Sequence, residues 1–141
     1  MNKTSLKKEW GNAALRYSTP HIRKEYIRRP AILKILGKIK NKKIIDLGCG
    51  DGYYSRILAK KGAKVIGVDF SYQSIKLAKF QEEKENLGID YYKSDISKLN
   101  FLKNSSFDIA LAEMVLVTIP TQNKYIKVVK ETYKILKKGE S

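Results

Sequence analysis

Ile44-Ile45-Asp46-Leu47-Gly48-Cys49-Gly50-Asp51-Gly52-Tyr53 decides the fold of this 141-residue chain. An apolar run ends in a carboxylate, glycines follow at positions 48, 50 and 52, and a helix-like stretch begins at Tyr53. That order describes a buried strand, a tight turn where a ligand can touch the backbone, and a helix N-terminus facing the same ligand. The dinucleotide fingerprint needs a third glycine three positions after the second, and Tyr53 occupies that place. The alternate spacing points instead to a different adenosine-containing cofactor.

Working outward, the pattern alternates between strand and helix. Strand-like runs cover residues 43–47, 64–69, 89–92 and 107–112. A helix over 53–61 ends at Gly62, and Ser71 caps a second over 72–86 that Gly88 stops. Thr121 caps a last helix over 122–138, with Ile126, Val129, Tyr133 and Leu136 as its expected apolar face and Lys124, Lys127, Lys130, Lys134 and Lys137 as its basic one. Strands alternating with helices imply an α/β fold with a parallel sheet and right-handed crossovers. The first forty residues read differently, as helical pieces over 21–28 and 30–38 divided by Pro30. The length has room for one domain, so a basic helical segment over 1–41 is expected to precede an α/β domain over 42–141.

Composition bounds the function. The net charge is +15, and residues 1–43 hold 13 lysines and arginines against two acids, a net of +11. Such a segment could serve nucleic acid or an anionic surface, but no aromatic–basic interleaving of an RNA module appears, so a solvated lysine-rich exterior is expected. The longest apolar run, 109–119, is broken by Glu113 and Thr118 and is too short to span a bilayer. The N-terminus has no apolar stretch behind its lysines, which argues against a secretory signal. One cysteine and one histidine leave no basis for a disulfide or a metal cluster. The expected location is the cytoplasm.

Four carboxylates fall at or just beyond the ends of the four strands: Asp46, Asp69, Asp95 and Glu113. Ligands of open α/β sheets bind along that carboxyl edge. Asp69 follows Gly52 by 17 residues, the position from which a carboxylate accepts from ribose hydroxyls. Asp46 and Asp51 flank the glycine turn and would repel a pyrophosphate, yet they suit an ammonium or sulfonium. No Gly-Lys-Ser/Thr P-loop is present. A nicotinamide-dependent oxidoreductase is thereby the weaker reading, and a nucleic-acid module rests on charge alone.

With Ile45-Asp46-Leu47-Gly48-Cys49-Gly50-Asp51-Gly52, Val65-Ile66-Gly67-Val68-Asp69-Phe70-Ser71, Ser94-Asp95-Ile96, Phe107-Asp108 and Leu136-Lys137-Lys138-Gly139 in order, the chain resembles the class I S-adenosylmethionine-dependent methyltransferases, in particular their small-molecule group. The resemblance runs from Lys42 to about Gly139 and implies a Rossmann-like fold, S-adenosylmethionine as cofactor, and methyl transfer to a small-molecule acceptor. It implies that Gly48, Cys49 and Gly50 cradle the methionine part while Asp46 orients its amino group. Asp69 would hold the ribose, Phe70 would lie against the adenine, Asp95 would accept from the adenine amine, and the Ile96 backbone would meet the ring edge. Glu113 and Met114 would line the methyl-donating side. The N-terminal segment often forms a lid in this family, which brings forward Tyr17, His21 and Trp10, although no general base can be named. The fourth strand lacks an Asn/Asp-Pro-Pro-aromatic motif, which disfavours methylation of base amines or glutamine amides.

The chain departs from the family at its end. The family's sheet has seven strands, and the last three would follow position 139, where only two residues remain. The fourth strand is then expected to carry an unpaired edge, either covered by self-association or a partner chain, or left bare in a truncated product of low stability and activity. A non-catalytic cofactor-binding or partner-binding remnant is the alternative to an enzyme.

Overall fold

The computed structural model describes residues 29–113 and 115–139. Its elements in chain order are α1 (Arg29–Leu36), β1 (Lys43–Leu47), α2 (Tyr53–Lys60), β2 (Lys64–Asp69), α3 (Tyr72–Glu85), β3 (Asp90–Lys93), β4 (Ile109–Leu111), a 3-10 turn (Leu116–Thr118) and α4 (Gln122–Ile135). All pairings are parallel, in the order β3-β2-β1-β4. The chain runs outward from β1 to β3 and then returns to the other side of β1. That reversal opens a crevice at the carboxyl ends of β1 and β4, where ligands of this architecture bind.

Two apolar clusters clamp the sheet. Ile44, Leu58, Val65, Ile75, Ala78 and Ile89 pack on one side, joined by Leu33 and Leu36 of α1 and by the buried Ile39. Ile45, Leu47, Val68, Leu99, Phe107, Val128 and Ile135 pack on the other. Leucines and isoleucines buried this completely contribute about 1.5–3 kcal/mol each. Residues 29–41 of the expected N-terminal segment are thus joined to the α/β core. Trp10, Tyr17, His21, Met114 and the helix expected over 21–28 lie outside the described residues.

The helix signals behave as their chemistry requires, with two corrections. Ser71 Oγ accepts from the Ser74 N–H and Thr121 Oγ1 from the Lys124 N–H, so both expected caps form. α3 ends at Asn86, whose φ of 50° is left-handed, before Gly88 is reached. Glu82 then gathers the N–H groups of Leu87, Gly88 and Ile89.

The first correction is the length of α4. It stops at Ile135, because the Ser106 and Phe107 N–H groups take its last carbonyl and Leu136 bridges to Phe107 in parallel. The second is its orientation. Val128 and Ile135 face the sheet, while Ile126, Val129 and Tyr133 are 43%, 48% and 64% exposed. Both stripes satisfy a 3.6-residue repeat; Val128 and Ile135 are the ones that pack with Ile45, Leu47 and Phe107, and the Lys124–Asp95 ion pair accompanies that orientation.

Candidate functional site

The glycine turn is built by backbone geometry. Gly48, Gly50 and Gly52 all have positive φ, 69°, 57° and 86°, which side-chain-bearing residues adopt at a cost. The Gly48 and Cys49 N–H groups both donate to the Val68 carbonyl, at 2.7 and 3.0 Å, pinning the turn to the end of β2. A Cβ at Gly48 would collide with Val115, so the loop after β4 closes down on this residue. A Cβ at Gly50 would meet nothing within 4 Å among the described residues, leaving open space above the turn. Arg56 donates to the Asp51 carbonyl at 2.5 Å and bolts the far side of the turn to α2.

Tyr91 of β3 accounts for two of the glycines. Its ring lies 2.7 Å from where a Gly67 Cβ would stand, and its hydroxyl occupies the place of a Gly52 Cβ. Burial pushes the phenol's pKa up, and the hydroxyl is buried with no hydrogen-bond partner. Neither residue class nor spacing announced this strut.

Three carboxylates meet this frame in different electrostatic states. Asp46 is buried and accepts from Ser55 Oγ at 2.7 Å. Burial pushes its carboxyl up to about 7, against the Ser55 bond and with help from the charges of Asp69 and Glu113. Asp69, at the end of β2, accepts from the Ser71 N–H at 2.9 Å and from the Gly50 N–H at 3.3 Å, one on each oxygen. Burial raises its carboxyl while those two bonds oppose the rise. Each Asp69 oxygen keeps one acceptor site, a pair that matches two vicinal hydroxyls.

Asp95, beyond β3, is more heavily engaged. Oδ1 accepts from the Ser97 N–H and hydroxyl at 2.9 and 2.8 Å, and Oδ2 accepts from Lys124 Nζ at 2.8 Å. Burial would raise this carboxyl, but the Lys124 and Ser97 contacts outweigh it and hold it at about 2. Ile96 is buried in the core beside it, Phe70 is half-buried after β2, and Glu113 is half-buried in the turn beyond β4. Cys49 is buried, and desolvation followed by the charges of Asp46 and Asp69 pushes its thiol pKa well up, which leaves it inert as a nucleophile.

Sequence reasoning found the carboxylates and the turn but not Ser55, Arg56, Tyr91 or Lys124. One signal was available. Thr121 opens a capping box whose third helical position prefers Glu or Gln, and Lys124 stands there with the charge disfavoured at a helix N-terminus.

The arrangement fits an adenosyl cofactor: open space over Gly50, a ribose-type acceptor pair at Asp69, and a buried acid at Asp46 for a cationic group. The pattern of the family described as methyltransferase domain matches residues 45–140. The chain belongs to this family. It is a class I methyltransferase domain, whose cofactor is S-adenosylmethionine. Over 129 residues it is 35% identical to a ubiquinone biosynthesis O-methyltransferase of Coxiella burnetii (strain Dugway 5J108-111), covering 88% of this chain and 52% of that one. A protein of the same description from Pelagibacter ubique is 32% identical, covering 96% of this chain and 58% of its own length. The methyltransferase domain therefore spans a little over half the length of the curated relatives it matches. Among solved structures, a SAM-dependent methyltransferase from Methanosarcina mazei superposes with a TM-score of 0.68 at 30% identity, over 78% of this chain and 53% of the other. One from Aquifex aeolicus reaches 0.77 at 21% identity, over 90% and 67%, and speaks for the fold alone.

Proposed function

We propose that the protein transfers a methyl group from S-adenosylmethionine to a hydroxyl of a small-molecule acceptor. The observation that carries this reading is the pair of buried carboxylates, Asp46 and Asp69, at a Gly50 turn above which the described residues leave open space. The two relatives named as O-methyltransferases support the choice of oxygen.

S-adenosylmethionine supplies a methyl group already activated on a sulfonium, so the chain's work is binding and orientation. Asp46 faces the amino acid end, the Gly48–Gly50 backbone approaches it closely, and Asp69 receives the ribose hydroxyls. Phe70 and the Ile96 backbone border the base, and Glu113 borders the reacting side. Holding donor and acceptor in attack geometry is worth on the order of 7 kcal/mol or more. Tyr17 and His21 are proposed to cover the acceptor. Nothing in the relatives' names favours a non-catalytic role.

Calorimetric titration tests the reading. S-adenosylhomocysteine should bind the chain at least tenfold more tightly than NAD, and the reverse order would sink it. Radiolabelled methyl transfer from S-adenosylmethionine to a panel of small hydroxylated acceptors then reports the activity itself.

We also place the protein in the cytoplasm and infer that a second polypeptide surface, a copy of the chain or a partner, covers its sheet edge. Cys49 is a free thiol that needs no oxidising compartment. No described helix is long and apolar enough to cross a membrane. Among the described residues β4 pairs with β1 alone, and Ile126, Val129 and Tyr133 lie exposed on α4. Sedimentation should show species above the monomer mass that dissociate on dilution; a monomer at all concentrations with a high melting temperature contradicts the inference.

A further inference from the structure

Ser55 is the third residue of α2 and is fully buried, although nothing in the helix calls for a hydroxyl there. Alanine is the better helix former, and a buried hydroxyl costs free energy unless it finds a partner. Its partner is Asp46 Oδ2, 2.7 Å away on β1. Resting on the cofactor reading above, we propose that Ser55 is a positioning residue for methyl transfer: by holding Asp46 Oδ2 it fixes the carboxylate in the orientation that meets the ammonium of the bound donor.

The surroundings give Asp46 little other help. The charges that act on it most, Asp69 at the end of β2 and Glu113 beyond β4, are both negative. Cys49 in the turn and Tyr91 of β3 are titratable neighbours that stay protonated, since burial pushes both well up. Arg56, the next residue of α2, turns its guanidinium to the Asp51 carbonyl and to Glu85. None of the ion pairs among the described residues includes Asp46. Ser55 is the one described side chain that donates to this acid, and its backbone adds a smaller contribution in the same direction.

The bond restrains the acid without filling it. A carboxylate offers about four acceptor sites, and the Ser55 hydroxyl takes one. The others remain for the three donors of an ammonium. Removing the hydroxyl then acts in two ways. The carboxylate is free to turn, which weakens the ligand at every pH. It also holds its proton to a higher pH, because a hydrogen bond to the charged form is lost. The second effect is confined to the range where Asp46 titrates, and a residue that merely packs would not produce it.

Calorimetry with S-adenosylhomocysteine at pH 6, 7 and 8.5 tests this on the full chain, with Ser55→Ala made in the parent and in Asp46→Asn. In the parent, Ser55→Ala should weaken binding about fivefold at pH 7 and only about twofold at pH 8.5. In Asp46→Asn the same substitution should change the affinity less than about twofold, because the acid it acts through is gone. A loss of one size at every pH, or in both backgrounds, makes Ser55 a packing residue and overturns the proposal, as does an unchanged affinity. Melts without ligand give a second readout. Asp46 stabilises the fold at low pH and ceases to as it ionises, so an acid pushed further up steepens that decline. The melting temperature should fall further between pH 5.5 and 8.5 in Ser55→Ala than in the parent, and an equal fall overturns the proposal. Failure of the parent to bind S-adenosylhomocysteine at any of these pH values overturns the cofactor reading beneath it, a different result from a loss independent of pH.

Discussion

Asp46→Asn is expected to melt higher than the parent chain at pH 8 and to bind S-adenosylhomocysteine at least 30-fold more weakly. The two effects share one cause. The carboxyl is buried, and its pKa is raised from the ordinary 3.8 to about 7. The folded chain therefore holds this proton more tightly than the unfolded chain does. Stability from this group is full below about pH 4 and is lost as pH rises towards and through 7. The rise corresponds to roughly 4 kcal/mol at most. An amide keeps an oxygen for the Ser55 hydroxyl but adds N–H groups that need acceptors, so a net gain of about 1–2 kcal/mol at pH 8 is the expected result. A cationic ligand group bound beside it, as proposed, would draw this carboxyl into its charged form. Binding to the parent chain should accordingly tighten as pH rises through 7, and binding to the amide variant should not. Thermal melts and titrations at pH 5.5, 7 and 8.5 check both halves. A variant that is less stable than its parent at pH 8, with unchanged affinity, would falsify this account of Asp46.

Asp69→Ala is expected to weaken S-adenosylhomocysteine at least 100-fold. Two hydrogen bonds from ribose hydroxyls to a charged acceptor are worth about 1.5–3 kcal/mol each, and 3 kcal/mol already corresponds to a factor of about 150. The substitution also releases the Gly50 and Ser71 N–H groups, which loosens the turn that the ligand approaches. Asp69→Asn keeps one acceptor oxygen and should fall between the two. The folded state should survive, because the loss of two backbone bonds is offset by removing a desolvated charge. Circular dichroism confirms the fold and calorimetry the affinity; a loss below tenfold in Asp69→Ala means the ribose binds elsewhere.

What the sequence made legible was local chemistry. Gly48, Gly50 and Gly52 could be read because a tight turn with positive φ leaves few alternatives, and Ser71 and Thr121 because caps act within three residues. Asp46, Asp69, Asp95 and Glu113 could be placed at strand ends because strand periodicity locates those ends. What escaped depended on contacts between distant segments. The rotation of α4 could not be read from Ile126, Val129 and Tyr133, since Val128 and Ile135 satisfy the same period and only packing against the distant Ile45, Leu47 and Phe107 breaks the tie. Ser55 looks like any helical serine until β1 brings Asp46 within 2.7 Å of it. The fourth strand reads as six residues and forms as three, because only residues 109–111 find partners on β1, while Phe107 turns to Leu136. Asp95 was expected to accept from the adenine amine, and nothing local announced that the Ser97 N–H, the Ser97 hydroxyl and Lys124 also donate to it.

The tyrosine standing over Gly67 and Gly52 has a consequence for substitution. Positions 52, 67 and 91 are sterically coupled, because a side chain gained at either glycine would run into the Tyr91 ring or hydroxyl. Shrinking Tyr91 alone frees neither position, because Cys49 also stands against Gly67 and the positive φ of Gly52 persists, so the edge strand, the turn and the second strand lock one another.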